Sequence, residues 1–214
     1  MPHDEQILVI PADVIAAIGT IDGFEPDVDR FLPTILDSDR LRFLPRAEME
    51  SDPSYKQLIP YVVLQWTDDN GTVRLFRYTR GGGSAEKRLH AKQSIGIGGH
   101  VNAEDCQGED DLYTNGMRRE LAEEVVIGCP YDESREGLLY DPSDDVGRVH
   151  LGIVHRFRLE LPEVRSNEDD LAEGHFASLD ELREAWGRLE TWSRLVLEAL
   201  YGVRGLGPID DGGR

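Results

Sequence analysis

The run Arg119-Glu120-Leu121-Ala122-Glu123-Glu124 sets three carboxylates and one guanidinium at helical spacing. At 3.6 residues per turn, Glu120, Glu123 and Glu124 fall within roughly 100° of arc on one helix face. Like charges so close repel one another unless a cation sits among them. A hard divalent cation such as Mg²⁺, which prefers carboxylate oxygens, would relieve that repulsion. Arg119 lies one helical turn before Glu123, so it can pair with that carboxylate and fix its rotamer. The plain alternative is a solvated acidic face, which an acid-rich chain produces easily.

What surrounds the run must position it. Ser94–Val101 reads as a short buried strand that breaks into a glycine turn at Gly98 and Gly99, where backbone groups can approach a ligand closely. Asp110 or Asp111 suits the N-cap of a following helix. Tyr113, Met117, Leu121 and Val125 form an apolar stripe able to pack on a sheet, with the glutamates along its edge. Gly116 costs a helix interior about 1 kcal/mol relative to alanine, which suggests a need for space there. Gly128 and Pro130 offer a C-terminal stop, so the helix is expected from about Leu112 to Ile127.

The segment from Gly99 to Ile127 resembles the Nudix box of the Nudix (MutT-like) hydrolase superfamily. That box is a glycine, five residues, a glutamate, seven residues, then R-E-U-x-E-E-x-G-U, with U aliphatic. Arg119, Glu120, Leu121, Glu123, Glu124 and Ile127 match its second half position for position. The first half departs: counting from Gly99 puts the acidic residue at Asp105, and counting back from Arg119 puts it at Asp111. The intervening loop is longer by six residues within Ala103–Asp110, and Val126 stands at the late glycine position. Tyr55–Tyr61 and Ser94–His100 also resemble an uncharacterised bacterial subgroup described as predicted MutT-family phosphoesterases.

The resemblance implies an α/β (α+β) fold, a Nudix-type α/β/α sandwich with a mixed central sheet, covering roughly Leu58 to Tyr201. It implies a metal-dependent hydrolase acting on the pyrophosphate bond of a nucleoside diphosphate linked to another group. Arg119, Glu120, Glu123 and Glu124 would be the catalytic set, with Mg²⁺ or Mn²⁺ held by the three glutamates and the Gly99 backbone. Glu173, near the point where family members often place a further acidic residue, joins as a candidate metal ligand. Damaged boxes in the same fold serve nucleotide-sensing or protein-binding modules, and that alternative stays open. Family members are often homodimers, which leaves the oligomeric state open as well.

The formal charge of −19, from 42 Asp+Glu against 23 Lys+Arg, repels nucleic-acid phosphates at long range and argues against non-specific duplex binding. A small phosphorylated substrate meets the same repulsion unless charge is inverted locally, which bound cations accomplish. Arg80, Lys87 and Arg88 flank Gly81-Gly82-Gly83 and could contact a phosphate, or they could merely aid solubility. His100 is either a substrate contact or a polar loop residue, together with Gly98 and Gly99 on the substrate side. His150 and His155 sit in a strand and read as structural. No apolar run is long enough for a membrane span, Met1–Ile10 lacks a signal-peptide pattern, and Cys106 and Cys129 make no framework. A reduced cytoplasmic setting is expected.

Residues 1–204 read as one domain, with 1–57 an N-terminal extension whose role is substrate specificity or dimerisation. Within it, Gln6–Ile10 and Leu41–Leu44 read as strands, Asp13–Ile18 and Asp27–Leu36 as helices. Ile59–Trp66 and Thr72–Tyr78 form a hairpin around Asp69-Asn70-Gly71. Val149–Leu159 is a strand, and Glu173–Phe176 a strand end before a capped helix at Ser178. Leu179–Leu189 and Trp192–Tyr201 read as C-terminal helices, and 205–214 as a disordered tail.

Overall fold

The computed structural model describes residues 5–80, 92–107, 110–167 and 171–205. The chain opens with β1 (Gln6–Pro11), α1 (Ala12–Ile18), β2 (Gly23–Glu25), α2 (Val28–Leu36), β3 (Arg42–Pro45) and α3 (Arg46–Met49). A long strand β4 (Tyr55–Thr67) and β5 (Val73–Arg80) follow, then two short strands, β6 (Gln93–Ser94) and β7 (Gly96–Ile97). Next come α4 (Leu112–Glu124), β8 (Val125–Ile127), β9 (Tyr131–Tyr140), β10 (His150–Leu159) and β11 (Val164–Ser166). β12 (Leu171–Ser178), α5 (Leu179–Glu184) and α6 (Thr191–Tyr201) close the described chain.

The main sheet runs β12-β5-β4-β10-β9-β2, with β1 and β7 also pairing β4, β3 pairing β1, and β6 pairing β5. β4 and β10 are parallel, from His150 opposite Gln57 to Leu159 opposite Trp66, while the other pairs are antiparallel. The sheet is therefore mixed. Period-two alternation along β4 splits its side chains between two faces. Val62 and Leu64 pack with Met117, Leu121 and Val125 on one face, and Tyr61 and Val63 pack with Leu182, Val196 and Leu197 on the other. Helix α4 covers the first face and α5 with α6 the second, which gives the α/β/α sandwich. No helix among the described residues is long and apolar enough to cross a membrane.

The first 57 residues are laced into this sheet: β1 pairs β4 from Val9 opposite Gln57 to Pro11 opposite Tyr55, and β2 pairs the far edge of β9. Their apolar faces reach the same core, with Ile10, Ile15, Phe31 and Ile35 packed beside Leu58, Tyr113 and Ile153.

β2, α3 and β11 have no counterpart among the expected elements, and three others differ from expectation. Helix α4 ends at Glu124 and not near Ile127, because Val125 turns extended (φ −141, ψ 156) and the β-branched Val125-Val126-Ile127 pairs with Val164–Ser166. Gly128 thus ends a strand. The expected helix Leu179–Leu189 stops at Glu184 and continues as a short 3-10 turn, Trp186–Arg188. β9 carries no pattern that reads as a strand, since its start, Tyr131-Asp132-Glu133, is exposed and polar and its burial is confined to Gly137, Leu138 and Leu139. At the hairpin, Gly71 takes φ +80 and the Asp68 carboxylate accepts from the Asn70 and Thr72 amides, as the Asn-Gly signal leads one to expect. The expectation for the tail beyond Gly205 lies outside the described residues.

Candidate active site

Helix α4 starts where its sequence provides a cap: Asp111 Oδ1 accepts from the Thr114 amide at 3.0 Å. Tyr113, Met117 and Leu121 are then buried on the sheet, which places Gly116 and Glu120 at the rim facing the glycine turn. The need for space at Gly116 is real: a Cβ there would stand 2.7 Å from Val101 Cγ1 and 2.8 Å from Asp105 Oδ2.

The two sequence alignments of the first acidic position resolve into two separate jobs. Asp111 caps the helix, and Asp105, buried in the 3-10 turn Ala103–Gln107, receives Arg119. Arg119 Nε donates to Asp105 Oδ1 at 2.8 Å and Nη2 to Asp105 Oδ2 at 3.2 Å. Nη2 also donates to the His100 carbonyl at 2.9 Å, and Nη1 lies 2.8 Å from Glu120 Oε1 and 3.1 Å from Glu123 Oε2. One guanidinium therefore ties the loop carboxylate, the glycine turn and two glutamates of the helix together. The hydrogen bonds that Arg119 donates to Asp105, and then those to Glu120 with its charge, hold Arg119 firmly in its charged form against its partial burial. The expected Arg119–Glu123 pair is present; its engagement with Asp105 and Glu120 has no helical-spacing signal at Asp105, because that contact crosses the lengthened loop.

Glu120 is the most enclosed of the candidate ligands in this fork. Its side chain is 15% exposed against 53% for Glu123. Burial raises its carboxyl above the ordinary range, the Arg119 contact opposes that rise, and the charges of Glu123 and Asp105 add to it. Gly99 is what makes room for it: a Cβ at Gly99 would stand 2.2 Å from Glu120 Oε2. Gly98 fits just as tightly, with φ +150 and a virtual Cβ only 1.9 Å from the Pro60 carbonyl oxygen. Gly98→Ala is expected to cost about 2 kcal/mol or more in urea unfolding, since both a strained φ and a backbone clash must be relieved. Unaltered stability would show that the turn is free to open.

Glu124 sits at the helix end, where its backbone carbonyl accepts from Asn167 N at 2.8 Å. Its charge is felt at Tyr78: burial pushes that phenol well up, Arg80 opposes, and Glu124 and Glu190 add to the rise. Glu120 and Glu123 share Arg119 Nη1. Glu173 takes an unusual φ of +59 and has its Oε2 3.3 Å from Thr79 Oγ1, with no described bond to the α4 glutamates. Arg80, expected at a phosphate, places its Nε 2.9 Å from Glu190 Oε2. Arg88 and Lys87 lie outside the described residues.

His100 is held through its backbone carbonyl by Arg119 and through its ring by Gln57. Gln57 donates its amide to the Met49 carbonyl at 3.1 Å, so its Oε1 accepts from His100 Nε2–H at 2.7 Å. That leaves Nδ1 as the bare nitrogen. Burial, followed by the charges of Arg46, His150 and Arg119, holds the imidazole well below the usual histidine range. Unfolding would release it to about 6.5. A group lowered in the fold stabilises above its unfolded value and loses that contribution as pH falls. Stability should therefore decline below about pH 6.5, by up to about 1.4 kcal/mol per pH unit from this group, and His100→Gln should flatten that slope. Parallel slopes for wild type and variant in urea titrations at pH 7 and 5 would rule this out. His155, fully buried, bridges Tyr113 Oη at 2.9 Å and Glu133 Oε1 at 3.0 Å and so braces α4 on β10 and β9.

The donor set suits a hard cation by type: carboxylate oxygens at the helix rim beside a glycine turn with bare backbone, and a Glu120 cradle that no other residue than glycine would leave open. Among the described residues, no three His, Cys, Asp or Glu side chains converge into a ready-made cage. Arg119 Nη1 occupies the space between Glu120 and Glu123.

A carboxylate helix clamped to a glycine turn beneath a mixed sheet defines a Nudix-type site, and the chain belongs to the Nudix hydrolase superfamily. The comparisons bear this out. The crystal structure of Tm1382, provisionally named a Nudix hydrolase, superposes with a TM-score of 0.75 at 30% identity, covering 94% of this chain and all of that one. Protein YmaB of Bacillus subtilis (strain 168) is 34% identical over 209 residues, 92% of this chain and 98% of YmaB. No family model matches the chain.

Proposed function

We propose that the protein is a divalent-metal-dependent hydrolase that cleaves the pyrophosphate bond of a nucleoside diphosphate linked to another group. The observation that supports this most is the seating of Glu120 against Gly99, with Arg119 holding Glu120, Glu123 and the His100 carbonyl in one fork. Glu120, Glu123 and Glu124, with a backbone carbonyl of Gly98 or Gly99, would hold Mg²⁺ or Mn²⁺. Such ions neutralise phosphoryl charge and make water more acidic. The rest is done by the chain. Arg119 orients Glu120 and Glu123 and does not itself touch substrate. Gly98 and Gly99 let a substrate oxygen come close to the backbone. One of the glutamates, or Glu173, takes the proton from the attacking water as general base. A net charge of −19 makes local charge inversion at the carboxylate helix a precondition for any phosphorylated ligand.

A second reading, a nucleotide-sensing or protein-binding module, is favoured by the lack of a ready-made cage among the described residues and by the lengthened loop after Val101. Incubating the protein with a panel of nucleoside diphosphate derivatives and Mg²⁺ separates the two. Release of mononucleotide products means hydrolase, and binding without turnover means sensor. Neither binding nor turnover across the panel would remove both.

A further inference from the structure

We propose that Glu190, at the start of α6 on the opposite side of the sheet from the carboxylate helix, is a positioning residue for the glycine turn, with Arg80 as its counter-charge. The inference rests on the hydrolase reading and extends it to a part of the chain that the Nudix box does not include.

Glu190 is buried, its side chain 6% exposed, and its backbone is stitched to the turn-bearing strand through Glu190 N to Gln93 O at 3.0 Å. Arg80 Nε holds Glu190 Oε2 at 2.9 Å. The other oxygen, Oε1, lies 2.6 Å from Ser94 Oγ and 3.1 Å from Tyr61 Oη. Ser193 Oγ lies 2.9 Å from Tyr61 Oη and receives the Ile95 amide at 3.1 Å. Ser94 Oγ in turn receives the Gly96 amide at 3.1 Å.

Distance and proton counting together favour one direction: Ser94 Oγ also lies 3.0 Å from the Gly96 carbonyl and Ser193 Oγ 3.4 Å from Glu190 Oε1, both longer than the contacts each hydroxyl makes below. Each hydroxyl has a single proton. The Ser94 and Ser193 oxygens already accept from backbone amides, so their protons are free to move outward. Ser193 donates to Tyr61, Tyr61 donates to Glu190, and Ser94 donates to Glu190. Two successive backbone amides, Ile95 and Gly96, are thereby secured to one carboxylate through serines that are themselves fully buried. The Gly96 carbonyl accepts from Tyr78 Oη at 2.8 Å and lies 3.0 Å from Ser94 Oγ, and the Arg80 guanidinium lies 5.6 Å from the centre of the Tyr78 ring. The strand leaving Gly96 has almost no slack before the site. Gly96 itself is pressed on the Tyr61 ring, with a virtual Cβ 2.0 Å away, and Gly98 and Gly99 meet Pro60 and Glu120 within three residues. A shift at Gly96 must pass to the turn on which Glu120 rests.

A glutamine at 190 has nearly the same shape but presents an NH₂ group either to Arg80 or to two incoming hydroxyls, so it reverses the donor pattern. Ser94→Ala removes one link and leaves the ion pair. The test compares both variants with the full-length wild type by amide hydrogen exchange and by Mn²⁺ titration with no nucleotide present. Exchange at Ile95 and Gly96 should rise about tenfold or more while amides of β10 keep their protection. The Mn²⁺ dissociation constant should rise about tenfold, as loss of an outer-shell support typically does. Unaltered exchange at Ile95 and Gly96 would overturn the inference. So would raised exchange with wild-type Mn²⁺ affinity, because the network would then be scaffold alone. Should Glu190→Gln fail to fold, Ser94→Ala decides by the same two readouts. If wild type itself takes up no Mn²⁺, the hydrolase reading falls, and the exchange measurement still decides whether Glu190 positions the turn.

Discussion

Glu124→Gln should lower metal-dependent pyrophosphate hydrolysis by at least about a hundredfold, close to 3 kcal/mol of transition-state stabilisation, and leave the melting temperature nearly unchanged. The substitution keeps shape and volume and removes one negative charge. At the end of α4 that charge lies within electrostatic reach of Tyr78. Glu120 and Glu123 are not expected to substitute for it, because both are engaged by Arg119 Nη1. The measurement is turnover of whichever nucleoside diphosphate derivative wild type cleaves fastest, at saturating Mg²⁺, beside a thermal scan. A variant as active as wild type would remove Glu124 from the reaction. A variant whose activity falls only in step with a large loss of melting temperature would assign it a folding role.

How much of this was legible in the letters depends on the range of the interaction. Contacts governed by helical period or local turn chemistry could be read. The stripe of Tyr113, Met117 and Leu121 is buried as its four-residue spacing requires, and the Ser178 capping box forms with Glu181. The Gly99 and Gly116 demands for space follow from residue type alone, and their partners are Glu120 and Val101. Contacts closed by tertiary approach could not be read. Asp105 and Arg119 meet across a loop longer than the family spacing, and either Asp105 or Asp111 fitted the count. Glu190 lies immediately before the plain amphipathic segment Thr191–Tyr201, with nothing in its neighbourhood to mark Arg80 as its partner. The end of α4 falls short of the expected position for an energetic reason: Gly128 and Pro130 are good stop signals, but three successive β-branched residues find a strand partner in Val164–Ser166 first.

Arg119→Ala should be the most damaging single change to stability in the site, at about 3 kcal/mol, because it strands a carboxylate that is almost wholly buried. The Asp105 side chain is 4% exposed, and Arg119 supplies both of its charged hydrogen bonds, at 2.8 and 3.2 Å. With the guanidinium gone, Asp105 faces the Gly116 backbone and the Asn102 amide, and Glu120 and Glu123 repel without an intervening cation. The Arg119 side chain is itself 27% exposed, which keeps the expected loss at the lower end of the range for buried pairs. For a chain of this length the melting temperature should fall by about 6–12 °C. Glu123→Ala, which removes the 53% exposed partner of the same guanidinium, should cost under about 0.5 kcal/mol. That contrast is the real test, since both variants delete one member of the same ion-pair cluster. Arg119→Lys should fall between them, keeping the charge but losing the planar fork that reaches Asp105, Glu120 and the His100 carbonyl together. If urea unfolding placed Arg119→Ala within about 0.5 kcal/mol of wild type, the guanidinium would not be the clamp between loop, turn and helix, and the orientation of Glu120 would need another cause.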